Sequence, residues 1–547
     1  MHEAIIGILE SRGIGEAERE EFFSPKPKLT YDPFLLANMR EGVDLLLRAV
    51  DEGRKIVVYG DYDVDGITST SLMVKVLRCL TDKVSYYIPS RLEEGYGLHK
   101  DSIDAIAEQG CELLITVDCG SVSKEETSYA HSLGIETIVT DHHTVSAIRA
   151  DGIIINPMLA EDTYPFKGLA GVGVAYKFAL AISKEREIPK DVMTEILELV
   201  TIGTIADIMP MLDENRTIVK YGLRMMRLGC MNKGLRRLIE LAGLDYRKIK
   251  TSDISFGIAP RINAAGRLGD ATLGVKLFLA DDEDEIERCC VALIETNRER
   301  RSLQDDALKR SMDIAEKDLE SMNFLMLEVN DAHEGVLGIV AGKIRETVNR
   351  PCIIVTKSGD HYKGTGRSIE RVNLFDMLDK YRDEFVSFGG HSAACGFTID
   401  GSRIDLLRER LNADLDEIFA EDETIFDVEY SYDATLDAES FNLELAEDVE
   451  MLEPCGKDNE TPLFRIKAVR PKDWKFLRND RKYGKFSIAA EGGRAIDCMV
   501  FRDAEANGRV IEENVFVDVI GTIEINNWRD NRKAQMVVKW VLPSESF

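Results

Sequence analysis

The stretch between Lys55 and Asn156 constrains the fold more than any other part of this 547-residue sequence. Short apolar runs rich in β-branched residues alternate there with helical segments, a pattern typical of a parallel sheet covered on both faces. The runs are KIVVYG (55–60), KVSYYI (83–88), ELLITV (112–117), IETIVT (135–140) and GIIIN (152–156). The sequence therefore predicts an α/β fold with a parallel sheet.

Acidic residues directly follow three of these runs. Asp61 follows the first run, Asp118 the third and Asp141 the fourth. In open α/β sheets, ligands bind at the carboxyl ends of the strands, where positions distant in sequence meet on one edge. We therefore expect these carboxylates to lie close together.

The segment GDYDVDG (60–66) places Asp61, Asp63 and Asp65 at alternate positions. Such a group repels itself unless cations compensate its charge. Gly66 permits a tight turn into the next helix, whose N-terminus would offer backbone donors to a phosphate.

Two later segments add ligand types of the same kind. VDCG (117–120) contributes one carboxylate, and TDHH (140–143) contributes a carboxylate with His142 and His143. This mixture suits Mn²⁺ best, with Mg²⁺ or Zn²⁺ as alternatives. A shared carboxylate such as Asp118 would bridge two ions about 3.5 to 4 Å apart, the spacing used for phosphoester hydrolysis. Taken singly, each Asp is more often a cap or turn residue, but their joint placement favours a metal site.

Five regions follow from the patterns along the chain. The first half holds an N-terminal helical segment (1–50) and the α/β domain (51–245). A linking helical region (246–322) with a long connecting helix then leads to a smaller α/β domain (323–415) that ends in glycine-rich turns. The last region (421–547) has alternating strands that indicate a small β-barrel.

Glycine-rich and arginine-containing motifs outside the first domain predict contacts to phosphate. GTGRS (364–368) and GGHSAACG (389–396) resemble a cradle for phosphate or a nucleotide backbone, and ordinary hairpin glycines are the alternative. RINAAGR (261–267) suits a phosphate channel but also structural salt bridges. The candidate residues are Arg261, Asn263, Arg267, Arg367, Ser368, Gly389, Gly390 and His391.

The net charge of −29 argues against a nucleic-acid partner unless the basic residues are concentrated. Residues 421–460 hold 15 acidic residues and one base, Lys457, whereas residues 465–486 hold nine Lys or Arg against two Asp. Trp474, Phe476, Tyr483 and Phe486 are interleaved with these bases. This run, with Trp474 and Lys475, predicts a platform for single strands, and the alternative is a hairpin whose aromatic residues face the core.

The sequence shows neither a targeting pattern nor a cysteine pattern typical of secreted proteins. The N-terminus lacks the pattern of a signal peptide, and no apolar run approaches the roughly 20 residues of a membrane helix. The ten cysteines form no CxxC pair, which indicates reduced thiols and no zinc site. We expect a cytoplasmic protein without membrane contacts.

The segments GDYDVDG, VDCG, TDHH and GTIADIMP, in this order, resemble the DHH phosphoesterase superfamily. RINAAGRLGDA, HEGVLGIVAGKI, GRSIERVNLFDML and FGGHSAACGFTI resemble its RecJ family of exonucleases, and the resemblance covers nearly the whole chain. It implies a DHH domain, a DHHA1 domain and an OB-fold domain. It also implies that single-stranded DNA is digested 5′ to 3′ into mononucleotides in repair and recombination.

Carried over by position, the resemblance implies two Mn²⁺ or Mg²⁺ ions and assigns roles to individual residues. The implied metal ligands are Asp61, Asp63, Asp65, Asp118, His142 and Asp207. Asp63, Asp118, His142 and His143 would act in catalysis, with His143 orienting substrate or water. Arg267, Arg367 and His391 would hold DNA phosphates.

The sequence departs from the family pattern at two places, and the first is Tyr59, which stands where many relatives place His. EPCGKDN (453–459) lacks the second glycine usual in the segment that enters the OB-fold. We expect a monomer without the C-terminal region of larger relatives, with a single-strand-binding protein and a helicase as candidate partners. The alternatives are a DHH oligonucleotide or cyclic-dinucleotide phosphodiesterase, which shares the metal site but is usually shorter, and a non-catalytic scaffold.

Overall fold

The computed structural model describes residues 1–229, 232–490, 495–528 and 531–544, so parts of the predicted α/β domain (51–245) and of the last region (421–547) lie outside it. In the first half the helices are α1 (Glu3–Ser11), α2 (Glu16–Phe23), α3 (Met39–Asp51), α4 (Val64–Arg78), α5 (Lys100–Glu108), α6 (Lys124–Ser132), α7 (Gly171–Glu185), α8 (Lys190–Ala206), α9 (Asp213–Leu228), α10 (Lys233–Leu241), α11 (Thr251–Asp253), α12 (Ala259–Leu268) and α13 (Thr272–Leu279). The later helices are α14 (Glu283–Asp318), α15 (Glu334–Val348), α16 (Leu374–Asp379), α17 (Ile404–Glu421), α18 (Leu443–Glu450) and α19 (Ala504–Glu513).

The first sheet confirms the predicted parallel α/β fold. Its strands are β1 (Ile56–Tyr59), β2 (Val84–Tyr87), β3 (Leu113–Val117), β4 (Glu136–Thr140) and β5 (Ile153–Ile155), in the spatial order β2-β1-β3-β4-β5. All neighbouring pairs are parallel. The carboxyl ends of β1, β3 and β4 therefore lie side by side.

Strand β1 shows why the apolar runs are continuous. Ile56 and Val58 belong to the same core cluster as side chains of α4 and α7, whereas Val57 and Tyr59 pack with side chains of α5. Successive side chains of a strand point to opposite faces, so a strand covered on both sides needs apolar residues at every position.

The long helix α14 connects the first lobe with the second. Its 36 residues extend over about 54 Å. Asp282 caps its N-terminus by accepting a hydrogen bond from the Glu285 N–H (2.9 Å), and the acidic first turn agrees with the helix dipole. One half of α14 packs against α12 and α13, and the other half packs against α15 and β6.

The second lobe contains a mixed sheet. Its strands are β6 (Leu325–Glu328), β7 (Cys352–Ser358), β8 (His361–Arg367), β9 (Phe385–His391) and β10 (Ala394–Asp400), in the order β6-β7-β8-β10-β9. The prediction of glycine-rich turns is wrong here, because both glycine motifs lie partly on strands. Gly364 lies under the ring of Phe397, where a Cβ atom would come within 2.2 Å of that ring.

The third lobe is a seven-stranded sheet. Its strands are β11 (Ala434–Leu436), β12 (Phe464–Val469), β13 (Pro471–Phe476), β14 (Gly484–Ala489), β15 (Ala495–Val500), β16 (Val517–Trp528) and β17 (Asn531–Pro543). Their order is β11-β12-β16-β17-β15-β14-β13. Among the described residues the edge strands β11 and β13 do not pair, so closure of the predicted barrel is not confirmed.

The N-terminal helical segment packs on this third lobe rather than on the neighbouring α/β domain alone. Ile5, Ile8 and Leu9 of α1 are fully buried in the core of the β-domain, and α1 contacts the edge strand β11. An amphipathic helix buries its apolar face wherever a complementary surface exists, and this helix covers an otherwise exposed sheet edge.

The loop that enters the third lobe is anchored to α9. The guanidinium of Arg216 donates hydrogen bonds to the carbonyl oxygens of Leu452, Glu453 and Pro454 (2.9 to 3.0 Å). Asp458, within the segment that lacks the second glycine, adopts a left-handed backbone with φ of 62°. Aspartate tolerates this conformation better than most residues, so the turn forms without glycine.

Helices able to cross a membrane are absent from the described residues, since none combines sufficient length with sufficient apolar character.

Candidate metal centre

The loop after β1 brings the first three carboxylates to the sheet edge. Asp63 caps α4 by accepting hydrogen bonds from the N–H groups of Asp65 (2.9 Å) and Gly66 (3.1 Å). A Cβ atom on Gly66 would lie 2.4 Å from the carbonyl oxygen of Asp61, so the turn requires glycine. Because Asp63 already occupies two N–H groups of this helix end, the predicted backbone donors are not free for a phosphate.

Two helices approach these carboxylates closely through glycine residues. Asp65 accepts hydrogen bonds from Gly171 N–H (2.7 Å) and Val172 N–H (2.8 Å) at the start of α7. A Cβ atom on Gly171 would lie 2.4 Å from Asp118 Oδ1, and one on Gly203 of α8 would lie 3.0 Å from Asp65 Oδ1. Gly171 lies outside the motifs identified from the sequence, whereas Gly203 is the first residue of GTIADIMP.

His142 joins residues from three elements. Its Nε2 atom lies 3.2 Å from Asp118 Oδ1, 3.6 Å from Asp207 Oδ2 and 3.8 Å from Asp65 Oδ2. Asp118 follows β3, His142 follows β4 and Asp207 follows α8.

The six predicted ligands form two adjacent groups. In each group the ligand atoms lie within 4.8 Å of one another. The first group is Asp65, His142 and Asp207, and the second is Asp61, Asp63 and Asp118. Asp118 belongs to the second group, and its Oδ1 also lies 3.2 Å from His142 Nε2 of the first, so it is the carboxylate that could be shared between two ions.

Two buried oxygen atoms support a divalent cation at this site. Asp61 Oδ1 and Asp118 Oδ1 are buried and have no hydrogen-bond partner among the described residues. A buried carboxylate oxygen without a partner is costly, and a cation would compensate it. The donors are carboxylate oxygens with one imidazole, a set that fits Mn²⁺ or Mg²⁺.

Burial and mutual repulsion raise the pKa values of these carboxyl groups. The pKa of Asp118 is raised well above its usual range by burial and then by the charges of Asp65 and Asp63. Burial followed by the charge of Asp63 raises the pKa of Asp61 to about 8 and that of Asp207 to about 7. Bound cations would favour the ionised forms instead.

The two adjacent histidines have opposite protonation tendencies. Burial, followed by the charge of His143, lowers the pKa of His142 to about 4, so its imidazole is neutral and suited to bind a metal. Burial also lowers the pKa of His143, but the hydrogen bond and charge of Asp141 outweigh it and raise that pKa to about 9.

Asp141 orients both histidines and lies outside the predicted ligand set. Its Oδ1 accepts hydrogen bonds from His142 N–H (2.8 Å) and His143 N–H (3.2 Å) and lies 2.8 Å from His143 Nδ1. Its Oδ2 accepts from Ser121 N–H (3.0 Å). Although burial opposes ionisation, these hydrogen bonds hold the pKa of Asp141 below its usual value.

Tyr96 is a residue of this site that sequence reasoning missed. Its hydroxyl lies 3.1 Å from His143 Nδ1 and 3.4 Å from the carbonyl oxygen of Asp118. Tyr96 follows no strand end and lies in a connecting loop, so no local pattern indicated its role.

We expect Tyr96→Phe to lower the rate of phosphodiester hydrolysis about threefold to tenfold, because one hydrogen bond to a charged group is lost. Affinity for Mn²⁺ should change little, which titration calorimetry would show. Tyr129→Phe is the matched control, since its hydroxyl bonds Asp104 away from the site. A wild-type rate in Tyr96→Phe would contradict a contribution of the Tyr96 hydroxyl to hydrolysis.

The RINAAGR motif of α12 packs against the segment 60–66 after β1, which we call the metal loop. Asn263 Oδ1 accepts a hydrogen bond from Val64 N–H (3.1 Å). A Cβ atom on Gly266 would lie 2.5 Å from the carbonyl oxygen of Tyr62, so only glycine permits this approach. Arg267 donates a hydrogen bond to the Gly335 carbonyl oxygen (3.2 Å) and thereby connects the metal loop with the second lobe.

A cluster of arginines lies beside the metal centre, and we call it the arginine track. Its members are Arg91, Arg261, Arg267, Arg300, Arg301 and Arg367. Burial and then the charges of Arg91 and Arg300 lower the pKa of Arg267 to about 10, while Arg261 and Arg300 feel the charge of Arg301. Within the described residues, no carboxylate lies within 4.0 Å of a track guanidinium, although the charge of Asp63 acts on Arg267 and that of Asp305 acts on Arg300. Structural salt bridges therefore do not explain these residues, and Arg91, Arg300 and Arg301 were not predicted.

The predicted residues of the second lobe are spread over different environments. Arg367 ends β8, where its guanidinium donates to the Gly366 carbonyl oxygen (2.8 Å). The Ser368 hydroxyl is buried and donates to the Val372 carbonyl oxygen (2.7 Å), so a structural contact uses its proton. His391 is exposed at the end of β9.

The two glycines of β9, Gly389 and Gly390, lie in different environments. A Cβ atom on Gly390 would lie 2.4 Å from the carbonyl oxygen of Ala394, so the strand pairing excludes larger residues. Gly389 lines a cavity of about 680 Å³ between the lobes, together with Arg91, Tyr96 and Thr365.

The aromatic residues of the third lobe mostly face the core. Phe486 is buried, and Trp474 and Phe476 pack against the same cluster. The Trp474 ring covers Gly484 and Gly508, where Cβ atoms would come within 2.2 and 2.5 Å of it. Lys475 is exposed. The alternative interpretation of this run, aromatic residues that face the core, thus holds for three of the four.

Three family models match consecutive parts of the chain. The DHH family N-terminal domain matches residues 55–204, the DHHA1 domain matches residues 321–417, and the RecJ OB domain matches residues 432–540. Together they cover the three sheets and leave the helical connection between the first two models unmatched.

Curated relatives are similar along nearly the whole chain. The single-stranded-DNA-specific exonuclease RecJ of Bacillus subtilis is 34% identical over 546 residues, which cover 99% of this chain and 68% of the relative. The exonuclease of the same name from Salmonella typhimurium is 33% identical over 559 residues, which cover 97% of this chain and 94% of the relative.

Solved structures agree with this result. RecJ from Thermus thermophilus in complex with Mn²⁺ matches with a TM-score of 0.83 and 27% identity, over 100% of this chain and 76% of that one. An exonuclease RecJ bound to manganese matches with a TM-score of 0.64 and 33% identity, over 72% of this chain and 98% of that one.

Proposed function

Because the chain belongs to the RecJ family of single-stranded-DNA-specific exonucleases, we propose that it hydrolyses single-stranded DNA from an end with two bound Mn²⁺ or Mg²⁺ ions. One observation carries this proposal: the six clustered ligands adjoin an arginine track whose guanidinium groups, among the described residues, have no carboxylate within 4.0 Å. In a chain with a net charge of −29, such a concentration of cations suits a polyanion.

The proposed ligands are Asp61, Asp63, Asp65, Asp118, His142 and Asp207, with Asp118 shared between the ions. When bound, the ions would supply Lewis-acid activation of water and neutralise charge on the scissile phosphate. Asp63, Asp118 and His142 would act in catalysis by keeping the two ions in place. His143 stays protonated because of Asp141, and through its other ring nitrogen it would donate a hydrogen bond to a phosphate oxygen.

The cavity between the lobes suits the terminal nucleotide. Its volume of about 680 Å³ is in the range of small-ligand sites, and Tyr96 separates it from His143. Arg91 lines this cavity and Arg367 lies near Arg91, so both would hold the terminal phosphate. Digestion from the 5′ end into mononucleotides is proposed from family membership, and the cavity would hold the terminal nucleotide.

Further DNA contacts are proposed for the other predicted residues. Asn263 bonds the metal loop, Arg267 lines the same cavity as Asn263, and Arg261 lies near Arg301 of the arginine track. Gly389 lines the cavity between the lobes. For Ser368, Gly390, His391, Trp474 and Lys475 the proposal rests on the sequence motifs alone.

The five regions defined from the sequence are proposed as the functional units, with DHH, DHHA1 and OB domains at 51–245, 323–415 and 421–547. Matches of family models within these ranges support the assignment. A cytoplasmic monomer that works with a single-strand-binding protein and a helicase in repair and recombination is proposed from family membership.

A digestion with Mn²⁺ of strands labelled at the 5′ or the 3′ end, beside duplex of the same sequence, tests the proposal. We expect labelled mononucleotide to appear at once from the 5′-labelled strand and late from the 3′-labelled strand, with little cleavage of duplex. Early release from the 3′ label would reverse the polarity. Equal rates on a long strand and a dinucleotide would favour the oligonucleotide phosphodiesterase, and no hydrolysis would favour the scaffold.

A further inference from the structure

Phe256 is the most exposed large hydrophobic side chain among the described residues, with 72% of its surface accessible. A phenylalanine this exposed buries little apolar area and contributes little to folding. It lies in the continuous helical stretch from α11 to α12, about two helical turns before Asn263, which bonds the metal loop. Packing in the protein core therefore does not explain why a phenylalanine occupies this position.

The backbone around Phe256 departs from an α-helix. Residues Ile254–Ile258 form a π-helical turn, in which Ala259 N–H donates to the carbonyl oxygen of Ile254. Pro260 has no N–H and cannot donate to the carbonyl oxygen of Phe256 four residues earlier. Such π-helical insertions occur often at functional sites.

The helix presents Phe256 on the same face as residues that reach the metal loop. Phe256, Pro260, Asn263 and Arg267 are spaced as one helical stripe, and all four line one cavity of about 270 Å³. Asn263 bonds the metal loop at Val64. The seven residue steps from Phe256 to Asn263 correspond to roughly 10 Å along the axis.

Charge differs on the two sides of Phe256. The 270 Å³ cavity is completed by Arg300, Arg301 and Ile339, and both arginines belong to the track. A second cavity of about 450 Å³, which Phe256 also lines, has Glu450, Glu453, Glu460 and Glu524 in its wall. A polyanion would follow the arginine side and avoid the acidic side. Phe256 therefore marks one edge of the cationic path to the metal centre.

We infer that Phe256 is a substrate-positioning residue, on whose ring a base of the incoming single strand stacks while the phosphates follow Arg300, Arg301 and Arg267. Single-strand sites combine cationic grooves with exposed aromatic rings because every base has a π face. This assignment rests on the proposed function and deepens it. Phe256 would add a stacking surface in the first lobe, whereas the partly buried Trp474 ring packs against the core of the third lobe.

Steady-state kinetics with single-stranded DNA tests the inference first. Phe256→Ala should raise KM about tenfold, with the change in kcat limited to about twofold. Phe256→Trp should keep the wild-type KM, whereas Phe256→Leu should resemble the alanine variant because it keeps apolar contact without a ring. Leu228→Ala, with a side chain that is 65% exposed on α9, is the matched control and should change neither constant.

Fluorescence of 2-aminopurine, which stacking quenches, provides a readout independent of cleavage. The base analogue is placed at successive positions of a single strand that is bound to a cleavage-deficient Asp118→Asn protein with Mn²⁺. We expect quenching at one position near the 5′ end, lost when Phe256→Ala is added and retained with Phe256→Trp.

The two hypotheses fail in distinguishable ways. An unchanged KM together with unchanged quenching in Phe256→Ala would overturn the stacking role while wild-type exonuclease activity remained. A wild-type KM in Phe256→Leu would also overturn it, because apolar contact alone would then suffice. A wild-type protein that binds and quenches the strand but hydrolyses no DNA would instead contradict the proposed function.

Discussion

Asp118→Asn is expected to lower the rate of single-stranded DNA hydrolysis by at least about a thousandfold. Asp118 contacts both ligand groups, and its Oδ1 lies 3.2 Å from His142 Nε2. A bridging carboxylate stabilises two cations at once, and those cations stabilise the transition state by several kcal/mol, where each 1.36 kcal/mol corresponds to a factor of ten. Single-turnover digestion of a 5′-labelled strand with Mn²⁺ measures this rate.

Two further measurements separate this effect from unfolding. Titration calorimetry should show weaker Mn²⁺ binding, and thermal unfolding of the metal-free variant should occur at a higher temperature because repulsion within the cluster is reduced. Asp162→Asn is the control, since Asp162 is a buried aspartate that bonds Ala37 N–H outside the site. Asp118→Asn with more than a tenth of wild-type activity would contradict the bridging role.

The metal-free protein is expected to lose thermal stability as pH rises, with the steepest fall between about pH 6.5 and pH 8. The pKa values of Asp61 and Asp207 are raised from 3.8 to about 8 and about 7 by burial and then by the charge of Asp63. In this range the folded protein binds more protons than the unfolded chain. Stability that is complete below pH 4 is therefore lost as pH rises through the folded pKa values.

The titration of the two histidines determines at which pH the stability of the metal-free protein falls most steeply. The pKa of His143 is raised from 6.5 to about 9, so its contribution is also lost as pH rises above 6.5. The pKa of His142 is lowered to about 4, so it acts in the opposite direction between about pH 4 and pH 6.5 and offsets part of the early loss. The net decline is therefore concentrated above pH 6.5.

Calorimetric scans with a chelator and with saturating Mn²⁺ measure the effect. We expect the unfolding midpoint with chelator to fall by about 10 °C across this window, and Mn²⁺ to raise it increasingly as pH rises, because metal binds the ionised carboxylates. Asp118→Asn should show a smaller fall. A midpoint independent of pH with chelator would contradict the mutual repulsion within the cluster.

The sequence by itself determined the parallel sheet and the metal-centre ligands that follow its strands. A strand covered on both faces must be apolar throughout, as β1 shows, so the run and its position are visible locally. The carboxyl ends of parallel strands share one edge, which brings Asp61, Asp118 and His142 together once the strand order is known.

Only the tertiary structure decided what lies around that centre. Tyr96 and Arg91 come from a loop without a pattern, and α1 packs on the last lobe although it begins the chain. Periodicity reports that a side chain is apolar or charged but not which distant surface it meets. For that reason the partly buried Trp474 packs against the core of the third lobe, whereas Phe256, which no motif indicated, is exposed beside the arginine track.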